Sequence, residues 1–190
     1  EVSGDGLNLH GAIDLSSESG RTGDFLLDPV NVTIVDGENA PTTVANPLVF
    51  DDSTNTTSTI IGDRWFRTLA FNSLTLESSG DIVFDQSIAG INPLYDNIVD
   101  FSRSTLRTGI TLKAIDGKID FGDNSTSYIG LDDFTLEAGG DIDFGDSTFT
   151  ISRLFNVTAG GDINFDRSTI NQLAATPGSQ LIEATGKIDL

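Results

Sequence analysis

Asp14, Val83, Asp120, Asp143, Asn164 and Asp189 offer the chain its best opportunity for chemistry. Each sits between an isoleucine and a phenylalanine or leucine, so alternation along a strand turns it away from both apolar neighbours. Carboxylates on adjacent rungs of a parallel sheet stand about 5 Å apart. At that distance like charges raise a proton affinity for acid catalysis, or together recruit a hard cation such as calcium. Enzymes that cleave polysaccharides place carboxylates in this way, which makes Asp120, Asp143 and Asp189 the candidates for a carbohydrate-active alternative. The position recurs with every repeat, however, as a structural position does, whereas an active site is a local exception. A ladder screened by solvent and counter-ions is therefore the expectation. No catalytic, cofactor-binding or metal residue is assigned, and weak calcium binding is the one ligand interaction the ladder offers. Nearby, the residue after the repeated glycine is Asp81, Lys118, Asp141, Asp162 or Lys187. This alternation predicts ion pairs across rungs, Lys118 with Asp141 and Lys187 with Asp162.

Other templates fall quickly. His10 is the only histidine and there is no cysteine, so Ser-His-Asp, Cys-His and multi-histidine metal arrangements cannot form within the chain. His10, between Leu9 and Gly11, reads as a corner residue. The pairs Gly139-Gly140 and Gly160-Gly161 lack a following helix to present phosphate and read as turns. Trp65 between Arg64 and Arg67 could stack on a sugar, but burial against the core is the better reading of so apolar a ring. With 29 acidic against 10 basic residues the formal charge is −19, which repels nucleic acid and anionic membranes.

The elements that hold these residues come from an internal repeat. LTLESSGDIVFD (74–85), FTLEAGGDIDFGD (134–146) and FNVTAGGDINFD (155–166) are its clearest copies. ITLKAIDGKIDFGD (110–123), LIEATGKIDL (181–190) and LNLHGAIDL (7–15) are looser ones. Aligned on Gly117, Gly140, Gly161 and Gly186, successive intervals are 23, 21 and 25 residues. Such intervals leave no room for a crossover helix beside strands and turns. They fit one coil of a solenoid, and the 69 residues from Gly11 to Gly80 read as three more intervals. The expected fold is all-β: a right-handed parallel β-helix of about eight coils of 21–25 residues, each with up to three short strands.

Alternation puts Ile13, Ile82, Ile119, Ile142, Ile163 and Ile188 in one inward column. Leu15, Phe84, Phe121, Phe144, Phe165 and Leu190 form the next. Residues 1–190 read as a single β-helix segment with polar insertions at about 36–59 and 89–108, and one irregular strand fits around Ile98 to Phe101. Both ends of the chain fall mid-repeat, which predicts unpaired edges that stack end to end with further coils or copies.

The repeat [Leu/Phe]-x-[Leu/Val]-x-Ala-Gly-Gly-Asp-Ile-x-Phe resembles the coils of filamentous haemagglutinins and related large exoproteins. GDFLLDPVNVTIVDG (23–37) is similar to a block those proteins carry before a variable polar insertion. The resemblance covers most of the chain and is weakest in the two insertions. It implies a right-handed β-helix exported by two-partner secretion, with an outer-membrane secretion partner, working at the bacterial cell surface as a stalk or adhesin. A cell-surface or matrix ligand, carbohydrate among the options, would be its partner. The asparagine-proline signatures of the family's secretion domain are missing, and Asn46-Pro47 and Asn92-Pro93 echo them only superficially. The segment therefore reads as stalk.

Overall fold

The computed structural model describes residues 2–4, 24–35, 59–62, 73–85, 98–100, 109–123, 125–173 and 180–190. Among them there are strands and turns and no helix. In chain order the strands begin with β1 (Val2–Gly4), β2 (Asp24–Pro29), β3 (Val32–Val35), β4 (Thr59–Gly62), β5 (Ser73–Ser78) and β6 (Ile82–Phe84). They continue with β7 (Ile98–Asp100), β8 (Gly109–Ala114), β9 (Ile119–Asp120), β10 (Ser127–Ala138) and β11 (Ile142–Asp143). The last are β12 (Thr148–Ala159), β13 (Ile163–Asn164), β14 (Thr169–Gln172), β15 (Gln180–Ala184) and β16 (Ile188–Asp189).

These strands form two sheets, and every pair in both is parallel. One runs β1-β2-β5-β8-β10-β12-β14, with β7 also on β10 and β15 also on β12; the other runs β16-β13-β11-β9-β6-β3-β4. From β8 to β14 the chain alternates between them, each return landing one place further along; β15 then joins β14 on β12 before the chain crosses to β16. A corner of a few residues makes each of these crossings, because the repeat is too short for anything longer; it contains glycine except between β13 and β14, where Arg167 takes the positive φ of 64 instead.

Register turns the sequence repeat into columns. Leu76, Leu112, Leu136 and Val157 lie side by side in the first sheet, and Ile82, Ile119, Ile142 and Ile163 in the second; all eight are fully buried. In β8 the burial alternates strictly between inward and outward residues, as period-2 patterning requires. Beside the isoleucines Phe84, Phe121, Phe144 and Phe165 stack ring on ring, with centroids 4.7, 5.5 and 4.4 Å apart. Tyr128 and Phe149 form a parallel pair at 4.6 Å that meets this stack edge-on. Ile13 and Leu15 lie outside the described residues. Ile188 and Leu190, in the outermost strand and just beyond it, are exposed.

Two details differ from the sequence reading, and a third agrees with it. Where each coil was expected to carry separate short strands, Thr148–Ala159 run together as the 12-residue β12. Its halves still pair separately, Thr148–Ile151 with β14 and Phe155–Ala159 with β15. Between the halves of β10, Gly130 at φ 75 accommodates a register shift that β12 cancels a few residues later. Next, Val32 pairs directly with Ile82, so a single step between layers spans the stretch read as two regular coils. The reason is that β4 pairs with the far side of β3, outside the stack that continues through β6. Finally, β7 within the 89–108 insertion is ordered against the first half of β10, where a strand was expected. Most of both insertions, His10, Asp14 and the Arg64-Trp65-Arg67 cluster lie outside the described residues.

Two inward hydroxyls, Thr126 Oγ1 and Ser147 Oγ, are buried without a hydrogen-bond partner. In the next layer Ser168 donates to the Phe165 carbonyl at 2.8 Å. A buried hydroxyl with no partner carries its desolvation cost uncompensated. Ser147→Ala is accordingly expected to stabilise the chain by about 1 kcal/mol in urea unfolding, while Ser168→Ala costs a similar amount.

Candidate functional site

The acidic ladder lies on the outer face of the second sheet, where Asp120 pairs in register with Val83 and Asp143, and Asn164 pairs with Asp143 and Asp189. The structure thus brings the predicted residues together as neighbours on successive rungs. It also commits them locally. Asp120 Oδ1 accepts the Gly122 N–H at 2.9 Å, and Asp143 Oδ1 accepts the Gly145 N–H at 2.9 Å. Asn164 Oδ1 does the same for the Asp166 N–H at 2.8 Å. An uncharged asparagine doing the same work means the position requires an acceptor oxygen two residues before a turn amide, not a charge. Val83 has no acceptor, and there the corresponding amide, that of Asp85, donates instead to the Ile34 carbonyl at 2.8 Å. Asp189 is exposed on the outer strand.

A second row, missed as such from the sequence, binds the layers at the corner. Asn31 Oδ1 accepts the backbone N–H of Asp81 at 2.9 Å, and Asp81 Oδ1 that of Lys118 at 2.9 Å. Asp141 Oδ1 accepts from Asp162 at 2.8 Å, and Asp162 Oδ1 from Lys187 at 2.7 Å. The signal was present in the recurrent Gly-Asp pair, but only register reveals that the carboxylate reaches the equivalent amide one layer on.

This row overturns both predicted ion pairs. Lys118 Nζ bonds Asp120 Oδ2 at 2.8 Å, two residues along its own strand, and not Asp141. Lys187 meets Asp162 through its backbone N–H rather than its ammonium. Cross-rung pairs form on the other sheet instead, Lys113 with Glu77 at 2.7 Å and Arg153 with Asp133 at 3.5 Å.

The acidity of Lys118 is shifted by its surroundings. Its hydrogen bond to Asp120 holds its pKa above the ordinary lysine value, helped by the fields of Asp120, Asp81 and Asp143 and opposed by partial burial. A folded-state pKa above the unfolded one stabilises the fold at pH below the ordinary lysine value, and that contribution is lost as pH rises through the folded pKa. NMR titration of the Lys118 side chain should give a pKa above the ~10.4 of a free lysine, and Asp120→Asn should return it toward that value.

Among the described residues no three acidic or histidine side chains converge to hold a metal ion. No family model, curated protein or solved structure matches the chain.

Proposed function

We propose that the chain is a right-handed parallel β-helix serving as a structural or adhesive segment of a secreted bacterial surface fibre. Its kinship would be with filamentous haemagglutinin-type exoproteins, its export by two-partner secretion, and its continuation end to end with further coils. Right-handedness follows from the near-universal hand of parallel crossovers. One observation carries the structural reading: the carboxylates best placed for chemistry are already used to close turns and to join layers. A face that recurs with the repeat, and whose acceptor at one rung is an asparagine, is built to hold a rod together.

The rival is a carbohydrate-active β-helix protein using Asp120, Asp143 or Asp189. Incubating the chain with a panel of acidic polysaccharides is expected to give no turnover; cleavage abolished by Asp143→Asn would sink the structural reading. Weak calcium binding is judged in the same preparation, where adding a chelator is expected to leave the melting temperature unchanged.

A further inference from the structure

From β5 onward five corners carry the chain from the first sheet to the second, and one is longer than the rest. Ser78, Ala114, Ala138, Ala159 and Ala184 stand side by side before the corner, and Ile82, Ile119, Ile142, Ile163 and Ile188 after it. Three residues separate the members of each pair, except after Ala114, where there are four, 115–118. The surplus falls at Ile115 and Asp116, both exposed. It also displaces a rung. In the other four layers the corner glycine donates to the preceding layer: Gly80 to the Val30 carbonyl at 2.7 Å, Gly140 to Gly117 at 2.8 Å, and Gly161 to Gly140 and Gly186 to Gly161 at 2.9 Å. Here Asp116 donates instead, to the Ser79 carbonyl at 3.1 Å, and the Gly117 N–H has no acceptor among the described residues. Nor does the Asp116 carboxylate have a hydrogen bond or ion pair among them.

From this juxtaposition we infer that Asp116-Gly117 is a site of covalent modification, where the open amide condenses with the neighbouring side chain and the pair becomes isoaspartyl-glycine. The Gly117 nitrogen adds to the carboxylic acid carbon of Asp116. A C–N bond forms, a C–O bond breaks, and the hydroxyl leaves with the amide hydrogen as water, closing a five-membered imide. Water then opens the ring at either carbonyl. Opening at the side-chain carbonyl restores aspartate; opening at the main-chain carbonyl leaves the backbone running through the side chain, one methylene longer and with no net change in mass. Glycine presents no side chain to hinder the ring. The other outward aspartates are held back by their rungs. Asp81, Asp141 and Asp162 precede β-branched isoleucines, whose N–H groups bond the carbonyls of Lys118, Asp162 and Lys187 at 2.9, 2.9 and 2.8 Å. The amides after Asp120 and Asp143, those of Phe121 and Phe144, are bonded at 2.9 and 3.0 Å. Such an amide must open before it can attack. The other aspartate-glycine pairs, Asp5-Gly6 and Asp36-Gly37, lie outside the described residues.

The test holds the folded 190-residue chain at neutral pH and body temperature for weeks and samples it by trypsin, which excises residues 114–118 between Lys113 and Lys118. Electron-transfer fragmentation tells isoaspartate from aspartate. Isoaspartate should build up in this peptide about tenfold faster than at Asp81, Asp141 or Asp162, and within about threefold of its rate in a free peptide spanning 112–120. Deleting Ile115 keeps the aspartate-glycine pair but returns the corner to three residues, which should slow the reaction about tenfold in a chain that keeps its circular-dichroism melt. Asp116→Glu, whose ring would be six-membered, should give no isomer. A folded chain about tenfold slower than the free peptide, or a folded deletion variant as fast as the parent, would overturn the inference. The free-peptide comparison needs no variant, so it decides the matter even where the deletion does not fold. Neither result touches the structural role proposed above, which stands or falls on turnover.

Discussion

Phe144→Ala is expected to lower the stability of the chain by about 3–5 kcal/mol, among the largest losses available to a single substitution here. The ring is fully buried and stacks on Phe165 at 4.4 Å and on Phe121 at 5.5 Å. Phe149 and Phe155 meet its edge at 5.3 and 6.0 Å. Truncation therefore removes the transfer energy of the ring and leaves a hole walled by two layers whose backbones are hydrogen bonded on both sides, so collapse around it is limited. Phe165 makes the control. It is 8% exposed, and of the rings around Phe144 only Phe144 itself stacks on it, so Phe165→Ala should cost about half as much. Urea unfolding reads the totals. Hydrogen exchange reads the spread, because in a layered chain the loss should be greatest at the layers flanking the hole. A Phe144→Ala loss below about 1 kcal/mol would mean the column is not packed as described.

The columns were legible in the sequence for a physical reason: a strand buries every second residue, so Ile119 and Phe121 advertise their facing through spacing alone. What side-chain oxygens do at the corners is not written in spacing. Lys118 can reach Asp141 across a rung or Asp120 along its strand, and nothing in the pattern separates these. The choice is settled by Asp141 Oδ1 already holding the Asp162 amide, while Asp120 keeps Oδ2 free of its own turn. The ladder itself was found, but its work was not. An aspartate that closes its own turn and one that binds a cation look alike until the amide of Gly122 or Gly145 is placed. Topology was obscured where the repeat was interrupted. A strand returning to the far side of β3 obeys the same alternation as one continuing past it, so the Gly11 to Gly80 interval could be divided evenly and still be wrong.

The corner row yields the last prediction, a ranking among three glycines that occupy equivalent places in the repeat. A β-carbon on Gly117 would overlap the backbone carbonyl of Gly80, whose N–H is anchored on the Val30 carbonyl at 2.7 Å, as well as Asp81 Oδ1. A β-carbon on Gly161 would overlap Asp141 Oδ1, the end of a side chain that can move but only by releasing the Asp162 amide. Gly140 stacks over the layer carrying Lys118, which offers no such oxygen; the nearest atom to its would-be β-carbon is the Gly117 carbonyl oxygen at 3.1 Å. Gly117→Ala should thus cost about 3 kcal/mol or more through forced backbone movement. Gly161→Ala should cost about 1–3 kcal/mol, the worth of an amide stripped of its charged acceptor. Gly140→Ala should fall within about 1 kcal/mol of the parent. The mechanism is separable from the ranking by a cycle. Asp141→Ala combined with Gly161→Ala should cost less than the two changes summed, since the first removes the atom the second strikes. Lys118→Asp should do the reverse. It supplies the missing oxygen beneath Gly140, and Gly140→Ala in that background should become as damaging as Gly161→Ala is in the parent. Equal costs at Gly140 in both backgrounds would refute the interlock. In that case the glycines would be conserving a turn, not making room for the layer beneath.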